Sequence, residues 1–305
     1  MHPLPKNRII RAIQRRIFRL PNMIKALYDM RGCDIIHPTY FRPYMLGHYS
    51  GKLILTAHDT IQENFNGSKK VARGNKLGYH AADHIIAVSE NTKRDILELY
   101  PAISPEKISV IYHGSSMKEV ARDESKNPLG RRYVLFVGYR GWYKNFLRFV
   151  RAMRPILEKD NDLCVLCVGG GAFTAEELVE IGGMSSRYFQ RALDDDSLAQ
   201  AYANAECFVF PSEYEGFGIP LLEAFACSCP VLSSNISSLP EVAGDAAEYF
   251  SPFSVSEMSA KILRVMEDDL LREKLRLAGR ERLKFFDWDK TARETLECYR
   301  RVLEE

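Results

Sequence analysis

From Cys33 onward the chain alternates between two hydrophobic periods, and that alternation leaves few folds open. Short apolar runs ending in Gly, Pro, Ser or a polar pair recur: "CDIIHP", "KLILTAHD", "HIIAVS", "ISVIYHG", "RYVLFVG", "DLCVLCVGGG", "ECFVFPSE" and "CPVLSS". Their length and β-branched content suit strands buried on both faces. Between them lie "NTKRDILELY", "NFLRFVRAMRPILEK" and "DSLAQAYANA", whose apolar residues return every three or four positions, as one face of a helix requires. Strand and helix in alternation build right-handed βαβ units, so the class is α/β with parallel sheets covered by helices. Ligands of such sheets bind outside the carboxyl ends of the strands, which directs attention to the residues following each run.

The polar segment "GSSMKEVARDESKNPLG" (114–130) contains Pro and Gly and no apolar period, and reads as an interdomain linker. With 305 residues the chain suits two ordinary domains better than one core. We expect a Rossmann-like N-terminal domain over 1–118, a second over 119–286, and a final helix over 287–305. The first domain looks incomplete. Nothing before "CDIIHP" offers another apolar strand, so the edge it leads is expected to be exposed to pairing, and a partner chain there is one expectation.

Several function classes are disfavoured. A net charge of +2 gives no argument for nucleic acid. No apolar run reaches the roughly 20 residues that span a bilayer, and the basic N-terminus lacks the apolar stretch of a signal peptide. Seven cysteines, an odd number, fit a reducing compartment, so the expected location is cytoplasmic. Lys6, Arg8, Arg11, Arg15, Arg16, Arg19 and Lys25 stand without an acid among them, which would suit peripheral contact with an anionic membrane face and equally a solvated helix face. Cys164 and Cys167 lie three apart on a strand and point to opposite faces, so they cannot share a metal ion.

The chemistry gathers at "PSEYEGFGIPLLEAFA" (211–226). A strand ends, a glycine-rich corner follows, and Pro220 is placed to open the next helix. Gly216 and Gly218 let the backbone turn and approach a ligand closely. The corner amides and the helix N-terminus favour an anion. Glu223 is expected in the first helical turn, where its carboxylate can accept two hydrogen bonds from a vicinal diol, and Glu215 sits before the corner. The same spacing also suits an acidic strand-end loop followed by an N-terminal helix charge.

The run "EGFGIPLLEAFACSCPVLSSNISSLPEVAGDAAEYFSP" resembles the retaining glycosyltransferases of the GT-B fold, in the large group-1, family-four class. Their pattern is two glutamates eight apart around a Gly-Phe-Gly corner, then "PV", then "LPE-G-AA". The resemblance runs from "CDIIHP" to the last helix. It implies two Rossmann-like domains whose parallel sheets face each other across a cleft, and a final helix returning toward the N-terminal domain. It also implies that Glu223 holds the ribose of a nucleotide sugar, that Glu215 lies against the donor sugar, and that Gly216, Phe217, Gly218 and Ile219 meet sugar and diphosphate. The family's cations are sought in "LFVGYRGWYKNF": Lys144 stands six after Gly138 as the pattern asks, and Arg140 stands one place later than usual. The "HD" of "LILTAHDT" makes His58 the residue that touches the donor sugar from the other domain, with His37 a weaker candidate.

The implied activity is transfer of a hexose from a nucleoside diphosphate sugar to a glycan or lipid-linked acceptor in surface polysaccharide synthesis, with retained configuration. Neither cofactor nor metal is implied. The "YKN" variant resembles bacterial mannosyltransferases, which favours GDP-mannose, then a UDP-sugar. The short N-terminus motivates an alternative: a homologue that binds nucleotide sugar without transfer, or a subunit completed by another chain. Two patterns mimic other chemistry. "LDDDS" (193–197) imitates a metal-binding Asp-x-Asp but precedes a helix, so Asp196 or Ser197 is expected as its cap. "VGGGAF" has Thr174 where a dinucleotide fingerprint needs its third glycine.

Overall fold

The computed structural model describes residues 32–38, 47, 49–65 and 67–305; the basic N-terminal segment lies outside them. The expected strands form two parallel sheets. The first contains, among the described residues, β1 (Ile35–Ile36), β2 (Lys52–Ala57), β3 (His84–Ala87) and β4 (Ile108–Val110), in the order β1-β2-β3-β4. The second holds β5 (Tyr133–Val137), β6 (Cys164–Val168), β7 (Tyr188–Arg191), β8 (Cys207–Phe210), β9 (Val231–Ser234) and β10 (Ala247–Phe250). Its order is β10-β9-β8-β5-β6-β7.

That order fixes where a ligand can sit. Moving outward from β5, the chain runs through β6 and β7 on one side and β8, β9 and β10 on the other. The direction of winding therefore reverses between the hydrogen-bonded neighbours β5 and β8, and a crevice opens at their carboxyl ends. The loops leaving those two strands carry "GYRGWYKN" and "PSEYEGFGIP".

The outer strands β7 and β10 were not among the runs read from the sequence. Among their residues only Tyr188 in β7 and Ala247 and Phe250 in β10 are buried, so neither shows a continuous apolar run. Helices cover both faces of the second sheet. Cys164, Leu166 and Phe208 belong to one core layer, while Cys167, Val165 and Val209 belong to the other. The two cysteines point opposite ways, as the strand period demands. The helix Phe146–Lys159 buries Phe146, Phe149, Val150, Met153 and Leu157 on a single stripe and carries Pro155 inside it.

The last helix, Trp288–Glu304, leaves the second sheet and lays Cys298 and Val302 against Ile54, Ile86 and Ile111 of the first. His37 belongs to this contact: its ring nitrogens are hydrogen-bonded to Thr56 Oγ1 at 2.8 Å and Tyr299 Oη at 2.6 Å. Its role in the structure is to tie β1 to β2 and the last helix. No described helix is long and apolar enough to cross a membrane.

Candidate active site

The corner forms because its residues permit no other path. Gly218 takes φ +100°, a left-handed value that favours glycine, and a Cβ there would meet Leu239 Cδ2 at 2.9 Å. The helix Ile219–Ala226 follows at once, with Pro220 in its first turn. Glu223 is the fifth residue of that helix, so it stands in the second turn and not the first, because the helix begins at Ile219. Gly216 is held more tightly still. A Cβ on it would lie 1.8 Å from the carbonyl oxygen of His58, at the end of β2 in the other domain. The two lobes therefore touch backbone to backbone at the corner.

Further hydrogen bonds fix that contact. The hydroxyls of Ser89 and Thr92 donate to the Gly216 carbonyl at 2.7 and 3.1 Å. From the other side Glu241, in the "LPE" run, accepts from the backbone amides of Glu90 and Asn91 at 2.7 and 3.0 Å. Its carboxylate thus caps the N-terminus of the helix Glu90–Leu99 across the cleft. Tyr214 Oη adds a bond with Thr60 Oγ1 at 2.7 Å and donates to Asp95.

Lys144 and Glu215 meet at the corner. Lys144 Nζ donates to Glu215 Oε1 at 2.7 Å, with both side chains nearly enclosed. The ammonium also lies 5.3 Å from the ring centres of Tyr143 and Phe210. Burial pushes the Glu215 carboxyl above its usual pKa, and Lys144 opposes that push. Its backbone is pinned as well, since Ser237 Oγ accepts from its amide and Ser238 Oγ donates to its carbonyl.

Glu223 has a different surrounding. Tyr202 Oη donates to its Oε2 at 2.9 Å, and burial raises its pKa against that bond. Glu223 and Ile219 line a cavity of about 510 Å³ together with Lys118, Asp195 and Trp288. Phe217 turns away from it. Its ring is buried among Tyr112, His113 and Phe286, at centroid distances of 6.0, 5.2 and 5.7 Å. It anchors the corner to the segment after β4 and to Phe286 before the last helix, so the expected ligand contact falls to its backbone amide. His58 stacks on His113 with centroids 5.7 Å apart. Burial lowers the pKa of His58, with Asp59 opposing, and pushes His113 down to about 4.

Arg140 is expected beside the diphosphate, yet the structure turns its guanidinium into the protein. Nε donates to Glu177 Oε1 at 3.0 Å, Nη1 to the Gly169 carbonyl at 2.8 Å, and Nη2 to the carbonyls of Gly171 and Ala172 at 2.8 and 2.9 Å. The residue is 3% exposed. Its partners are the "VGGGAF" turn, whose three glycines all take left-handed φ. That turn serves to hold an arginine, and Thr174 then caps the helix Ala175–Ile181 in a capping box with Glu177. In "LDDDS" the cap is Asp194, not Asp196 or Ser197: its side chain accepts from the Ser197 amide. Among the described residues no group of three His, Cys, Asp or Glu is placed to hold a metal ion.

Two parallel sheets meeting at a glycine corner, with a lysine and two glutamates around it, invite comparison with known proteins. The family model described as "Glycosyl transferases group 1" matches residues 117–282, and "Glycosyltransferase Family 4" matches residues 1–118. The chain is a group 1 glycosyltransferase. Among curated relatives, the "O-antigen chain mannosyltransferase B" of Escherichia coli is 31% identical over 92% of this chain and 71% of its own length. Among solved structures, the sucrose-phosphate synthase of Thermosynechococcus elongatus superposes with a TM-score of 0.77 at 23% identity, covering 93% of this chain and 78% of that one. Anabaena HepE in complex with UDP and glucose gives 0.77 at 18% identity, covering 92% and 81%. These two establish the GT-B architecture of the glycosyltransferase.

Ser89, Thr92, Glu241, Tyr202 and His113 carry roles in the structure that no motif in the sequence assigns them. A signal existed for two of them. Glu241 sits in the quoted "LPE" run, and His113 ends the run "ISVIYHG" just as His58 ends its own.

Proposed function

We propose that this glycosyltransferase moves mannose from GDP-mannose to a hydroxyl of a growing surface glycan or lipid-linked acceptor, with retention at the anomeric carbon and without a metal ion. The likeness to an O-antigen mannosyltransferase favours mannose. The observation that carries the reading is the Lys144–Glu215 pair at the corner. A nearly enclosed ammonium that makes one hydrogen bond, to Glu215, among the described residues keeps donors for an incoming anion. A diphosphate entering the corner would draw the ammonium and leave Glu215 to accept from sugar hydroxyls. The amides of Gly216 to Ile219 would cradle the phosphates, and Glu223 would accept from the ribose diol. His58 would close the sugar site from the other lobe. As the bond from anomeric carbon to bridging oxygen breaks, charge gathers on the leaving phosphate, and Lys144 would favour that state over the ground state. That phosphate would take the acceptor's proton on the same face. Arg140 would act indirectly, by shaping the loop that delivers Lys144.

A thermal-shift screen with GDP-mannose, GDP-fucose, UDP-glucose and UDP-N-acetylglucosamine tests the donor, since a ligand of the folded state raises its melting temperature by mass action. GDP-mannose is expected to give the largest rise; a larger rise with a UDP-sugar would overturn the choice. NMR of the product's anomeric proton decides retention.

A further inference from the structure

The loop after β5 that delivers Lys144 carries two large aromatic side chains in the open: Tyr139 is 63% exposed and Trp142 49%. Trp142 has φ +58°. A bulky residue in the left-handed region carries a steric cost, and such a conformation persists only where the surroundings impose it. Here they do. The indole is edge-on to Phe65 of the first domain at 6.2 Å and to Tyr143 at 5.2 Å. It also abuts Gly67, where a Cβ would come within 3.0 Å. The ring of Tyr139 folds back over Gly141, whose missing Cβ leaves room for it.

The two rings border a cavity of about 550 Å³ whose lining also includes Arg148, Arg151, Glu176 and Glu213. The lining charges are equal in number, Arg140, Arg148 and Arg151 against Glu176, Glu177 and Glu213. Arg148 pairs with Glu213, and Arg151 with Glu180 at 2.6 Å. A cavity with aromatic rims and balanced charges offers stacking faces and many hydrogen-bond donors and acceptors but no net charge. That combination fits a neutral polyhydroxylated chain better than an anion or a hydrocarbon.

The cavity is continuous with the corner along the chain. Glu213 in its wall receives at its carboxylate the guanidinium of Arg148, and its amide donates to the Tyr143 carbonyl at 2.7 Å. Two residues on, Glu215 pairs with Lys144. One pair of loops thus presents the reacting corner on one side and the aromatic cavity on the other, with Tyr143 and Trp142 between them.

We propose that this cavity is a glycan subsite, in which Tyr139 and Trp142 stack on neutral hexose units of the acceptor chain behind its reacting end. The proposal deepens the functional reading and rests on the acceptor being an oligosaccharide. Such a subsite makes chain length matter: a longer acceptor gains contacts that a monosaccharide lacks.

The test combines direct binding with product analysis in full-length protein. Calorimetry with neutral α-mannan, α-glucan and galactan oligosaccharides is run for wild type, Tyr139→Ala, Arg151→Ala and Tyr139→Phe. An oligosaccharide is expected to bind the wild type, and Tyr139→Ala is expected to weaken it by on the order of tenfold, as truncation of an exposed stacking ring does. Arg151→Ala is expected to lose less, and Tyr139→Phe to stay close to wild type. Donor affinity and turnover of a monosaccharide acceptor are expected within about twofold of wild type in all three variants, while the products of Tyr139→Ala and Arg151→Ala shorten. Unchanged oligosaccharide affinity in Tyr139→Ala, or no oligosaccharide binding by the wild type, overturns the subsite. The nucleotide-sugar screen fails or succeeds independently of these results, so loss of one reading is distinguishable from loss of the other.

Discussion

Two cations leave the same short loop and end in opposite conditions. Arg140 and Lys144 are four residues apart, and each meets a buried carboxylate, Glu177 for the first and Glu215 for the second. The guanidinium of Arg140 is met by that carboxylate and three carbonyls, so it welds the loop after β5 to the loop after β6. Lys144 donates one hydrogen bond among the described residues, on the side where the two domains face each other. Each carries one positive charge, and the Arg140 side chain is 2% exposed against 14% for Lys144. What separates them is how much of each cation's donor capacity the protein itself consumes.

The largest effect expected from this contrast lies in catalysis. Lys144→Met is expected to lower kcat by on the order of 10²–10³, the usual loss when a charge-stabilising donor is removed. Steady-state kinetics with the preferred donor checks it. Arg140→Met is expected to act on folding: breaking a buried pair costs about 3–5 kcal/mol, read as a lower denaturant midpoint. Its folded fraction is expected to keep nucleotide affinity near wild type. If Arg140→Met leaves stability unchanged and abolishes nucleotide binding, the division between the two cations is lost.

Next in size is Gly216→Ala. The added Cβ would lie 1.8 Å from the His58 carbonyl, a backbone atom that cannot swing aside. The lobes are expected to part, with small-angle scattering reporting a larger radius of gyration and transfer falling steeply. Gly141→Ala is the smaller counterpart, because the obstruction there is the movable ring of Tyr139.

The carboxylates give a pH signature. Burial raises the Glu223 pKa above its ordinary 4.5, so the folded state favours the neutral form. Its stability contribution is full below the unfolded value and is lost as pH rises through the folded one. Glu223→Gln is therefore expected to gain melting temperature relative to wild type across that rise, while losing about tenfold in nucleotide affinity. His113 has the opposite sign. With its pKa held near 4, its neutral form favours folding above 6.5, and that contribution is lost as pH falls from 6.5 toward 4. His113→Gln is expected to flatten this acid limb of the melting curve, the smallest of these effects.

Much of this molecule was legible in the sequence, and the reasons can be traced residue by residue. Strands buried on both faces announce themselves as apolar runs, which is why β2, β3, β5, β6, β8 and β9 were visible and the outer β7 and β10 were not. The eight-residue spacing of Glu215 and Glu223 marked the corner because glycines and a proline with fixed conformational roles lie between them. The partners of each charge were not legible. Nothing local tells that Gly169, Gly171 and Ala172 after β6 aim their carbonyls toward Arg140, or that the ring of Phe217 inside the corner packs on Tyr112, His113 and Phe286. Such facts depend on contacts between residues tens to hundreds of positions apart. The left-handed Trp142 was equally hidden, since its conformation is imposed by Phe65 and Gly67 from the other domain.

Hydroxyls of Ser89 and Thr92 from the opposite lobe grip the peptide carbonyl of Gly216, and in the proposed function the amides beside it would face the anion. Prising the lobes apart and loosening a bound nucleotide would then be two views of a single movement. The dwell time of the spent nucleotide and the lifetime of the shut state would keep the same clock.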